Sequence, residues 1–131
     1  MNPTPQMLHH LSFAVADLKR ATAFYDATLA TLGYVRVWTD ETAVGYGLPD
    51  GDDQFAIKLK SNIVVPGDGF HAAFSAPSRA AVLAFHQTAL AHGGKDNGGA
   101  GLHPEYGENY FAAFVFDLDG FRIEAVISET P

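Results

Sequence analysis

Cysteine is absent from this chain of 131 residues. That excludes disulfides, thiolate metal sites and a cysteine nucleophile, so His, Asp and Glu are the donors left for any cation. It agrees with a cytoplasmic location. No run is long and apolar enough to span a bilayer. The opening Met1-Asn2-Pro3-Thr4-Pro5-Gln6 has no basic region followed by an apolar stretch, so it reads as a loose tail rather than a signal peptide. Basic residues are few: eight Lys and Arg against fifteen Asp and Glu, for a net charge of −7. They form no stripe, which argues against a nucleic-acid partner. An acidic surface favours a neutral or cationic small ligand over a polyanion, although one pocket can differ in sign from the whole. Gly98-Gly99-Ala100-Gly101 lacks the Lys-Ser/Thr of a phosphate loop, and there is no G-x-S-x-G element.

What is present is an internal duplication. HLSFAVADLKRATAFYDATLATLG, from His10, aligns without gaps on HAAFSAPSRAAVLAFHQTALAHGG, from His71, with seven identities in 24 positions. The matches (His10/His71, Phe13/Phe74, Ala23/Ala84, Phe24/Phe85, Leu29/Leu90, Ala30/Ala91, Gly33/Gly94) fall on a strand, a helix face and a helix stop. Each half opens with period-two alternation. Leu11, Phe13 and Val15 oppose His10, Ser12 and Ala14; Ala72, Phe74 and Ala76 oppose His71, Ala73 and Ser75. A helix follows in each, capped by Asp17 or Ser78 and stopped at Gly33 or Gly93-Gly94. Its apolar stripe is Ala21, Phe24, Tyr25, Leu29 and Leu32 in the first half, and Val82, Phe85, Ala89 and Leu90 in the second.

Three strand-like runs come after each helix: 34–39, 42–48 and 54–60, then a poor Gly-rich strand over 96–104, 110–116 and 121–127. Pro49 to Asp53 and Asp117-Leu118-Asp119-Gly120 are turns. The chain is thus expected to be one α+β domain, residues 1–131, made of two βαβββ modules at about 7–62 and 68–128. Phe55-Ala56-Ile57-Lys58-Leu59 corresponds to Phe121-Arg122-Ile123-Glu124-Ala125. With Phe55, Ile57 and Leu59 toward the helix, parity turns Lys58 and Glu124 the other way. His10, Lys58, His71 and Glu124 are then equivalent inward positions.

Two imidazoles and a carboxylate on adjoining strands suit iron, manganese, nickel or zinc, so His10, His71 and Glu124 are the candidate metal ligands. Open coordination positions would polarise substrate oxygens or ionise water. A half-buried structural role for each His is the alternative. Lys58 stands against a cation. Either the metal binds through three ligands while Lys58 swings away, or Lys58 loses its proton, or it pairs with Glu124 and no metal binds. Trp38, Tyr46, Tyr110 and Phe111 are candidate lining residues for a substrate, with plain core roles as the alternative. His103 and Tyr106, in an irregular and mobile segment, are candidate acid–base groups with Glu124 and Lys58.

HHLSFAVADLKRATAFYDATLATLGY resembles the opening of vicinal oxygen chelate proteins: a ligand His seven residues before the helix-starting Asp, then a Phe-Tyr pair. These are His10, Asp17 and Phe24-Tyr25. FHAAFSAP resembles the second ligand strand of that superfamily, and DLDGFRIEAV its ending, with Glu124 as ligand. Together they span Met7 to Ile127. The resemblance implies paired βαβββ units forming a cup-shaped, largely antiparallel mixed sheet with helices packed outside, and frequent homodimerisation. It also implies a metal in the catalytic members, which include glyoxalase I, fosfomycin-resistance transferases, extradiol dioxygenases and epimerases, and none in the bleomycin-binding members. Glyoxalase I carries a carboxylate where Lys58 stands, which sets its proton shuttle apart from this chain. The expected function is therefore a small-molecule metalloenzyme of lyase, isomerase or dioxygenase type; the alternative is a metal-free ligand-binding protein.

Overall fold

The computed structural model describes residues 6–128. Residues 1–5, which hold most of the expected tail, and residues 129–131 lie outside the described part. In chain order the elements are β1 (Leu11–Val15), α1 (Leu18–Ala30), β2 (Val35–Thr39), β3 (Ala43–Gly47) and β4 (Phe55–Leu59). Then come β5 (Ala72–Ser75), α2 (Arg79–Ala91), β6 (Lys95–Asp96), β7 (Gly101–Leu102), β8 (Phe111–Phe116) and β9 (Arg122–Ile127). Local chemistry sets the helix ends. Asp17 and Ser78 are extended, and their side-chain oxygens accept the N–H of Arg20 and Ala81 at 3.1 Å each, which satisfies donors that have no partner in the first turn. Gly33 and Gly93 leave the helices at φ of +91° and +98°, a conformation that a Cβ would penalise.

The halves have the same sheet topology. The first sheet has the order β1-β4-β3-β2 and the second β5-β9-β8-β6, with β7 also beside β8. In each, the opening strand runs parallel to the closing strand and the other pairings are antiparallel. The result is an α+β fold of two mixed sheets and two helices, not closed into a barrel. Where one poor strand was expected over 96–104, two two-residue strands flank a turn instead. Both pair with β8, because Gly98, at φ +135°, breaks the run.

One face of each sheet is apolar and meets a helix. Phe13, Val15, Ile57, Val115, Ile123 and Ala125 are all at most 2% exposed. The two apolar faces also meet each other: Phe13 stacks on Phe121 at 4.3 Å, and Phe55 sits edge-on to Phe74 at 5.2 Å. Leu59, expected beside Phe55 and Ile57, is 42% exposed at the end of β4. Polar ties cross between the halves. Tyr25 of α1 donates to Asp117 Oδ2 at 2.5 Å, Tyr34 donates to the carbonyl of Ser75 at 2.6 Å, and Ala16 N–H donates to Asp119 at 3.0 Å.

The opposite face of the first sheet carries mostly small side chains, and Ala43 and Ala56 are buried there. Ser12, Ala56, Gly45 and Trp38 lie in register across β1, β4, β3 and β2. A Cβ on Gly45 would lie 2.2 Å from the Trp38 indole nitrogen, so the indole occupies the space that the missing side chain leaves. Gly45→Ala is expected to push the ring outward and to cost about 1–3 kcal/mol as an overpacking change. Trp38 is the only tryptophan, so its emission should shift to the red; an unchanged spectrum would mean that the ring does not rest there.

Candidate functional site

Parity sorts the expected site residues. Tyr46 is paired with Phe55, so it shares the helix face. It is 1% exposed, and its hydroxyl donates to Asp26 at 2.9 Å. Phe111 is opposite Ile127, also on the helix side, where the Arg79 guanidinium lies 5.0 Å from its ring centre. The two were expected to line the hollow; the observed register turns both to the helix side, where Tyr46 lines a cleft between the halves. Trp38 and Lys58 are on the other face, paired with Gly45 and Ala43.

On the corresponding face of the second sheet, Glu124 is in register with Ala73 on one side and Phe114 on the other. Its carboxylate is 1% exposed. One oxygen lies 2.9 Å from His71 Nε2, and the other accepts the Tyr110 hydroxyl. Burial, and then the neighbouring carboxylate, push the Tyr110 hydroxyl well above the ordinary 10.0, so it remains a proton donor across the working pH range. A carboxyl group this deeply buried requires such partners for its oxygens.

Above this centre, residues 103–110 form a tied turn. His103 N–H donates to the Tyr110 carbonyl at 2.8 Å, and Tyr106 N–H to the His103 carbonyl at 2.9 Å. The His103 ring packs edge-on to Phe114 at 5.1 Å and face-to-face with Tyr106 at 5.9 Å; Tyr106 in turn meets Tyr110 at 5.3 Å. The segment expected to be irregular is a hydrogen-bonded turn rich in aromatic contacts, anchored to β8 through β7. Tyr106 remains 64% exposed, free to contact a ligand.

His71 and Glu124 meet; His10 does not complete their group. It is exposed one residue before β1, with its Nδ1 2.9 Å from Nδ1 of His9. Among the described residues, no three His, Asp or Glu side chains are arranged to hold a metal. Lys58 is exposed, with no ion pair or hydrogen bond among the described residues. A cleft of about 460 Å³ opens between the halves, lined by Leu11, Leu29, Phe55, Phe74 and His71 among others. No Asp, Glu, Lys or Arg lines it, and it reaches the polar centre at His71, whose Nε2 is 2.9 Å from Glu124.

Two mixed sheets with parallel opening and closing strands, and a buried Glu held by a His one residue before the neighbouring strand, define the class. The family model of the Glyoxalase/Bleomycin resistance protein/Dioxygenase superfamily matches residues 7–125, and the chain belongs to that superfamily. A glyoxalase/bleomycin resistance protein from Albidiferax ferrireducens T118 is similar, at 29% identity and a TM-score of 0.82, over 92% of this chain and 98% of that one. A glyoxalase-related enzyme from Fulvimarina pelagi (19% identity, TM-score 0.69, 93% and 88% covered) shares the fold. So does a glyoxylase/bleomycin resistance protein/dioxygenase domain from Frankia sp. EAN1pec (16%, 0.69, 96% and 100%). No curated protein matches the sequence. No described helix is long and apolar enough to cross a membrane.

Proposed function

We propose that this chain is a small-molecule enzyme of the superfamily, working as one two-module domain in a homodimer, with its polar centre at Glu124. The observation that carries this reading is the Glu124 carboxylate, 1% exposed yet bonded to both His71 and Tyr110. A carboxyl group buried this deeply, with both oxygens bonded to side chains able to carry chemistry, marks the candidate centre.

An imidazole and a carboxylate 2.9 Å apart supply two of the three donors that a divalent iron, manganese, nickel or zinc ion needs. The third, His10, fits only when a second copy brings its own His10 to this face, which is the reason for the homodimer. When bound, such an ion supplies Lewis acidity toward substrate oxygens or water. The chain's own residues do the rest. Glu124 orients the His71 ring, Tyr110 donates a hydrogen bond, and His103 and Tyr106 stand at the rim as acid–base partners for the ligand. Lys58 favours a second reading, a metal-free ligand-binding protein, because an ammonium has no lone pair to offer a cation.

Metal analysis separates the two. Wild-type protein supplied with each ion is expected to retain about one per chain, and His10→Ala and Glu124→Gln to retain none. Mixed dimers of His10→Ala with Glu124→Gln should regain one site per dimer, because one site then takes both intact residues. Wild-type protein that retains no ion supports the binding-protein reading; single variants that regain nothing on mixing contradict the shared site.

A further inference from the structure

The open face of the first sheet holds a second recognition element. We propose that Trp38 and Lys58 together bind a planar anion, such as an aromatic carboxylate, by stacking on the indole and ion pairing with the ammonium. This rests on the reading above in taking the chain as a small-molecule protein, and it names a ligand class for the first sheet, while Glu124 stands on the second.

The floor is flat for a reason visible in the register. Ser12, Ala56 and Gly45 lead across three strands to Trp38, and Ala14, Lys58 and Ala43 form the adjoining row. Nothing larger than a methyl or hydroxyl group rises between the two functional side chains. The indole is held down by the absent Gly45 side chain, yet Trp38 is 37% exposed, so one ring surface is available. Strands are about 5 Å apart and same-face neighbours along a strand about 7 Å apart. Lys58 is thus rooted two strands and one row from Trp38, roughly 12 Å between Cα atoms; the indole leans over Gly45 toward it, so a ring stacked there carries a carboxylate toward the lysine.

Lys58 is the one cation in these rows and is not spent on any described partner; Asp40, which continues the second row beside Ala43, has its carboxylate taken up by the N–H groups of Thr42 and Ala43. Ser12, exposed in the indole's row, adds a hydroxyl donor to the same anion.

Trp38 is the only tryptophan, so its fluorescence reads the site directly. Chelator-treated protein is titrated with 4-nitrobenzoate, a quenching planar anion, and with neutral 4-nitrobenzamide. Saturable quenching by the anion is expected, weakened about tenfold by the amide substitution and again by Lys58→Met, in line with the loss of one charge-assisted contact. Lys58→Arg should retain it. Calorimetry on Trp38→Leu should show weakened binding of the same anion. Equal quenching by both compounds, or an unchanged affinity in Lys58→Met, overturns the proposal. Because metal-free protein is used, failure to bind an ion in the earlier experiment leaves this result standing, and the reverse holds as well.

Discussion

Asp117→Ala is expected to lower stability by about 3 kcal/mol, the scale of leaving several buried donors without a partner. Asp117 is 4% exposed. Its Oδ1 accepts the N–H groups of Asp119 and Phe121, at 3.0 and 2.9 Å, and its Oδ2 accepts the Tyr25 hydroxyl at 2.5 Å. One side chain thus closes the β8–β9 turn and ties it to α1 of the other half. Asp117→Asn keeps an acceptor for the backbone and should cost far less. Denaturant unfolding compares the two; equal losses would show that the acceptor role is not what matters.

The same residue predicts a pH dependence. Burial raises the Asp117 carboxyl above its usual 3.8, outweighing the hydrogen bonds that lower it. A raised value in the folded state means that the protonated form is favoured there. Its contribution is complete below 3.8 and is lost as pH rises through the folded value. The stability of Asp117→Asn relative to wild type should therefore improve from acid toward neutral pH. A difference that moves the other way would place the charged form as the one the fold prefers.

Glu124→Gln is expected to have the largest functional effect: about a hundredfold or greater loss of ion affinity, on the scale of losing a charged ligand and its partners. Stability should change little or rise, since a buried carboxylate is expensive to desolvate and the amide occupies the same volume. Tyr110→Phe, which removes one hydrogen bond and leaves the charge, should weaken ion binding by roughly tenfold. Metal content and thermal unfolding on the same samples decide between roles. A Glu124→Gln protein that unfolds easily but still holds its ion would make the carboxylate a structural group.

Much of this was legible along the chain because the signals are local. Alternation at Phe13 and Phe74, the caps at Asp17 and Ser78 and the stops at Gly33 and Gly93 each depend on a few neighbouring residues, and all stand in the structure. The duplication also aligned His71 with His10 and Glu124 with Lys58. The aromatic candidates were harder. Tyr46 and Phe111 read equally well as lining or as core, and strand register alone turned them toward the helices. Asp117 was visible only as part of a turn; its partner Tyr25 lies 92 residues away, beyond any local pattern.

The sequence by itself determined the two repeats and the chemical kinds of residue on each strand, since period-two and helical spacings are set by backbone geometry within a few residues; its motifs around His10, His71 and Glu124 carried the resemblance to the superfamily. Tertiary structure decided which of those residues meet. It joined His71, Glu124 and Tyr110, left His10 apart, and laid Trp38 over Gly45, because cross-strand pairing and the packing of one half on the other depend on contacts between residues distant in the chain.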